Sequence, residues 1–132
     1  MTYYLNVVEL MIINEQLVGS SRSRLRDVDL LEAAVLRPST SAFGEDAYPT
    51  VIEKAAALFH SLARNHAFVD GNKRTATIAL IMFLRKNSVR VNWSPIEALD
   101  FILDVSQGKH EVEDITRWLE KRTSPVEQQP VL

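Results

Sequence analysis

Hydrophobic positions recur at helical spacing through most of this chain. Val7 to Leu17 is apolar on most sides and predicts a partly buried first helix, interrupted by Glu9, Asn14 and Glu15. GSSRSRLRD follows as a loop. Asp27 then stands ready to cap a short helix over Asp27 to Leu36, whose Val28, Leu31 and Val35 share one face. TVIEKAAALFHSLARN opens on a Thr50–Glu53 capping box and keeps Ile52, Ala55, Leu58, Phe59 and Leu62 on one broad face. KRTATIALIMFLRKN is apolar on nearly every side with charges only at its ends, the pattern of a central buried helix. VRVNW, Val89 to Trp93, reads as a short extended piece. Ser94, Pro95 and Glu97 sit at N-cap, N1 and N3 of a further helix that should reach about Gln107 and stop at Gly108. HEVEDITRWLEKRT closes the series as an amphipathic helix with Val112, Ile115, Trp118 and Leu119 on one face, and the tail at 124–132, with two prolines, is expected to fray.

The pattern breaks down in two places. RPSTSAFGEDAYPT, Arg37 to Thr50, is the longest stretch without a helical period, and its two lone aromatics are Phe43 and Tyr48. A loop of that length in a compact domain is either plain surface or a binding flap. The other break is HAFVDGNKRTA, His66 to Ala76, a short polar loop between two apolar helices. The expected architecture is therefore all-α, one domain over residues 1–132, with an N-terminal helix and loop at 1–26, a flap at 37–50 and a polar loop at 66–76.

Composition narrows the range of functions. The chain has 132 residues, 46% of them apolar, enough for one real core. A net charge of −2 argues against gripping nucleic acid by charge. The absence of cysteine removes disulfides, thiolate metal sites and cysteine nucleophiles. No apolar run reaches the roughly 18 residues of a membrane span, and the N-terminus lacks the basic region of a signal peptide, so a cytoplasmic protein is expected.

The polar loop carries the chemistry. Gly71 can take a positive φ at low cost and turn the chain into the next helix. The first N–H groups of that helix, about Asn72 to Thr75, then have no helical partners, and with the positive end of the helix dipole they form an anion site suited to phosphate. Lys73 and Arg74 would otherwise be unfavourable at a helix start, and both can bind phosphate oxygens. Asn72 can donate from its amide. Asp70 is a hard carboxylate where Mg²⁺ is expected beside phosphates. His66 supplies an imidazole able to take a proton from a hydroxyl. Phe68 points inward as an anchor for the loop. Base, carboxylate and cradle together match the requirements of phosphoryl or nucleotidyl transfer. His60 and His110 lack such company and read as structural. Neither a Walker A loop nor a dinucleotide-binding glycine pattern is present.

HAFVDGNKRTA resembles the signature of the Fic/Doc family, H-x-F-x-[DE]-G-N-[GK]-R, with every defining position filled. AYPTVIEKAAALFHSLARN and DLLEAAVLRPSTSAFGEDAYPT are similar to the Doc branch, so the likeness runs from about Asp27 to Leu119. It implies an all-α core with a hairpin flap that lines up a target segment, placed around Ser39 to Tyr48. It implies that His66 is the catalytic base, Phe68 the core anchor and Asp70 the Mg²⁺ ligand, and that Gly71, Asn72, Lys73 and Arg74 hold the phosphates of ATP. Lys73 stands where the AMP-transferring members have glycine, and Thr77 stands where they have a further arginine. In Doc-like proteins this variant implies transfer of the γ-phosphate to a Thr or Ser hydroxyl of translation elongation factor Tu. It also implies a toxin neutralised in trans by a Phd-like antitoxin. Spacing alone leaves open AMP transfer or a non-catalytic binding module. Ser41–Asp46 and Thr116–Lys121 come near the family's inhibitory motif [ST]-x-x-x-E-[GN], but both lack its last residue.

Overall fold

Five of the six helices among the described residues begin at a capping side chain, and the one after the polar loop begins at Gly71 without one. In the computed structural model, which describes residues 1–126, Asn6 accepts from the Glu9 N–H to start α1 (Val7–Val18), and Asp27 accepts from Asp29 and Leu30 to start α2 (Val28–Leu36). Thr50 caps α3 (Val51–Asn65) through the Glu53 N–H, and α4 (Asn72–Lys86) follows the polar loop. Ser94 caps α5 (Pro95–Ser106), and Glu111 with Asp114 forms a capping box at α6 (Val112–Glu120). Six helices with two small strand pairs confirm the all-α expectation among the described residues.

Helix α3 runs through the middle and packs on α2, α4, α5 and α6. Its Ala55, Ala56, Ala57 and Ala63 are buried, and such small side chains let the neighbours approach closely around Leu58, Phe59 and Leu62. Helix α4 is less enclosed than its composition predicts. Ala76, Ala79, Leu80, Phe83 and Leu84 are in the core, but Ile78 is exposed and Ile81 and Met82 are half-buried. Ile78 lines a cleft along one side of this helix.

The interval at 37–50 is a hairpin. After one 3-10 turn, Arg37–Ser39, strand β1 (Ser41–Ala42) pairs with β2 (Glu45–Asp46) across a Phe43–Gly44 turn. Two-residue strands cannot hold themselves together in water. The base of the hairpin is tied to α3 instead. Lys54, only 2% exposed, donates to Asp46 Oδ2 at 3.1 Å and to the Tyr48 carbonyl. Arg37 donates to the Tyr48 hydroxyl at 3.1 Å, to Ser61 Oγ at 2.9 Å and to His60 Nδ1 at 2.8 Å. Tyr48 is thus half-buried against the core, with its hydroxyl and carbonyl both held. His60 also meets Arg64 at 2.9 Å and Glu111 at 3.4 Å. Burial, then Arg37 and Arg64, holds its pKa below the ordinary imidazole value.

The extended piece at Val89–Val91 is strand β3, and Thr123–Pro125 is its antiparallel partner β4. Ser124 and Pro125 therefore correct the expectation of a frayed tail from 124 onward. Pro125 is tolerated because it ends an edge strand. The rest of that expectation, 127–132, lies outside the described residues. No helix among the described residues is long and apolar enough to cross a membrane.

Candidate active site

The polar loop is folded by its own backbone and by the loop before α2. His66 ends α3 in the left-handed region, φ 51° and ψ 50°, and this reverses the chain. Arg26 donates from Nε to the His66 carbonyl at 2.8 Å. Arg26 and Asp27 both donate backbone N–H to the Ala67 carbonyl, and Val69 donates to Arg24, so Leu25 and Phe68 face each other in a β-bridge. Phe68 is 3% exposed and sits in the core cluster beneath the loop.

Asn72 makes a clamp within the loop. Its Oδ1 accepts from the Phe68 N–H at 3.0 Å and its Nδ2 donates to the Phe68 carbonyl at 2.8 Å. The carboxamide thus imitates a strand neighbour and clamps the loop. One Nδ2 hydrogen is used in this clamp; the other, with the backbone N–H of Asn72, stays available at the cleft. Gly71 has φ 78°, and a Cβ there would stand 2.7 Å from Val18 Cγ1, so both conformation and space require glycine. The Thr75 N–H already bonds the Gly71 carbonyl at 2.8 Å. The groups left without helical partners at the start of α4 are therefore the N–H groups of Asn72, Lys73 and Arg74.

These N–H groups open into a cleft of about 740 Å³, within the range of small-molecule sites. His66, Asp70, Gly71, Asn72, Lys73, Arg74 and Thr77 form its polar side. The imidazole of His66 and the side chains of Lys73 and Arg74 are exposed there and bond no other side chain among the described residues. Asp70 lines the cleft and accepts the Gly71 N–H on Oδ1 at 2.7 Å, while Oδ2 bonds no other group among the described residues. Among the described residues no three His, Cys, Asp or Glu side chains gather into a metal site. A single exposed carboxylate suits Mg²⁺ that arrives with polyphosphate and keeps most of its waters. Thr77 donates to the Lys73 carbonyl at 2.8 Å.

The opposite side of the cleft is apolar: Ile78 on α4, Trp93, and Ala98, Leu99, Ile102 and Leu103 on α5. Sequence reasoning missed this wall, because α5 residues read as ordinary amphipathic positions. Trp93 serves two ends, since its other face packs on Trp118 with ring centroids 5.3 Å apart. Arg26 and Asn14 were missed as well. A signal for Asn14 existed, a carboxamide in the middle of an apolar run. Phe43 lies outside the cleft at the hairpin tip, fully exposed with φ 55°. Ser41–Asp46, one of the near-matches to an inhibitory motif, is this hairpin and not a helix.

The Fic/DOC family model matches residues 4–84, which spans α1 to α4 and the whole polar loop. A protein named "Toxin Doc" from Mycolicibacterium smegmatis is 46% identical over 104 residues, covering 79% of this chain and 75% of its own length. The "Protein kinase doc" of Escherichia phage P1 is 35% identical over 71 residues, 54% of this chain and 56% of the phage protein.

Proposed function

The chain belongs to the Fic/DOC family, in its Doc branch, and from that premise we propose that it is a Doc-type toxin that phosphorylates a protein hydroxyl. The observation that carries this reading is the single cleft shared by His66, Asp70 and the cationic start of α4.

The residues divide the work as follows. The free N–H groups of Asn72, Lys73 and Arg74, with the Lys73 and Arg74 cations, bind the phosphates of ATP. Asp70 would hold Mg²⁺, which would supply positive charge to neutralise the phosphates. His66 takes the proton from an incoming Thr or Ser hydroxyl. The hydroxyl oxygen bonds the γ-phosphorus, the bond from that phosphorus to the β–γ bridging oxygen breaks, and ADP leaves. The apolar wall of α5 excludes water on the side away from the cradle. Lys73 fills space beside α4 that glycine would leave open, and this favours a nucleotide presenting its γ-phosphate. The flap aligns the target segment through Phe43. The proposed target is elongation factor Tu, whose modification stops translation, and a Phd-like antitoxin restrains the toxin in trans.

ATP labelled at the γ position in one reaction and at the α position in another tests the reading on purified elongation factor Tu. Label is expected from the γ position only. Label from the α position alone overturns phosphorylation in favour of AMP transfer. His66→Ala should abolish transfer while ATP affinity is retained; a His66→Ala chain at full rate removes His66 as the base.

A further inference from the structure

Asn14 has no exposed surface at all. A carboxamide buried this completely is unfavourable unless its hydrogen-bonding groups are used. Here all are. Nδ2 donates to the Asp70 carbonyl at 2.8 Å and to Thr75 Oγ1 at 3.1 Å, and Oδ1 accepts from Ser23 Oγ at 2.7 Å. These partners lie on the polar loop, the first turn of α4 and the loop between α1 and α2.

The bond to Asp70 has a directional consequence. The Asp70 carbonyl and the Gly71 N–H belong to one trans peptide, so they point in opposite directions. With the carbonyl tied back to α1, the Gly71 N–H points away from it. That N–H meets Asp70 Oδ1 at 2.7 Å. The side chain on α1 thereby fixes one oxygen of a carboxylate it never touches, through a single rigid plane. Val18, one turn further along α1, closes the same wall, 2.7 Å from where a Gly71 Cβ would stand.

We propose that Asn14 is a positioning residue for the Asp70 carboxylate: it sets the Asp70–Gly71 peptide plane and so aims the second carboxylate oxygen into the cleft. The inference rests on the proposed role of Asp70 toward Mg²⁺ and names what keeps that residue in place. Thr75 is held by the same amide, so the start of α4 and the carboxylate keep a fixed relation to each other.

The test measures ATP affinity by calorimetry with and without Mg²⁺, and reads the gain that Mg²⁺ confers. In Asn14→Leu the gain should fall about tenfold, as expected for a group orienting a metal ligand, and Asp70→Asn should lose it likewise. Metal-free ATP affinity should change little. Ser23→Ala breaks the third bond of the same carboxamide without touching the peptide plane, and should keep the wild-type gain. Should Asn14→Leu not fold, Asn14→Ser, too short to reach the Asp70 carbonyl, takes its place with the same expectation. A folded variant with the wild-type gain overturns the inference, as does a Ser23→Ala chain that loses as much. A wild-type chain that binds ATP equally with and without Mg²⁺ overturns the metal role of Asp70, and the inference with it.

Discussion

The polar loop and the flap are both short and irregular, yet they are held in opposite ways. The loop from His66 to Arg74 is fastened along its length: Phe68 in the core, Asn72 clamped onto Phe68, Arg26 on the His66 carbonyl, Asn14 behind Asp70. The hairpin from Ser41 to Asp46 is exposed throughout and fastened only at its base by Lys54 and Arg37. Groups that act on bond-making atoms must be fixed within fractions of an ångström. A surface that meets a protein needs a firm base and a free face.

Breaking the loop should have the largest effect. Asn72→Ala leaves the Phe68 N–H and carbonyl without partners and is expected to lower transfer about 100-fold, the scale of a 1 Å misplacement. Stability should fall by about 1–3 kcal/mol. Label transfer and thermal melts check both, and a variant at the wild-type rate means the clamp does not set the loop. Breaking the flap from below should do less. Lys54→Met keeps the core apolar but releases Asp46 and Tyr48. We expect the Ala47 amide to lose hydrogen-exchange protection, with KM for the protein target raised about tenfold, the fold-change of a 1.4 kcal/mol loss, and ATP affinity unchanged. Unchanged exchange at Ala47 counts against the tie.

Phe43 sharpens the contrast. A phenylalanine at φ 55°, wholly in solvent, gains nothing for the fold. Phe43→Gly should stabilise the chain by up to about 1 kcal/mol while weakening target recognition; a variant less stable than wild type would show that Phe43 supports the hairpin. The smallest effect is on pH. Because the folded state holds the His60 pKa down, the unfolded chain binds more protons as pH drops below about 6.5. Stability should therefore decline from there until His60 itself protonates in the folded state. Melting temperatures across that window should show the slope in wild type and a smaller one in His60→Gln.

Much of this was legible in the residue order. Helix starts at Asp27, Thr50 and Ser94 were readable because a cap is a local bargain between a side chain and N–H groups two or three residues on. Gly71, Phe68 and the cationic start of α4 were readable for the same reason: their partners are close in sequence. The clamp made by Asn72 was not readable, since a carboxamide gives no sign of which nearby backbone it will bond. The ties of Tyr48 were not readable because its partners, Arg37 and Lys54, are set by how the hairpin folds back on α3. Asn14, Arg26 and the α5 wall meet the loop from 40 to 56 residues away in the chain or across the cleft, and no periodicity encodes such meetings.

His66 ends α3 in a conformation that glycine and asparagine adopt far more comfortably than histidine. The proposed base therefore sits where the fold would prefer another residue. His66→Gly or His66→Asn should melt higher than the active protein, by a few tenths to about 1 kcal/mol in stability. This is a trade-off between activity and robustness located at one backbone position. For a protein proposed to be poisonous when unrestrained, it means that a single change at this position would yield a harmless chain sturdier than the active one.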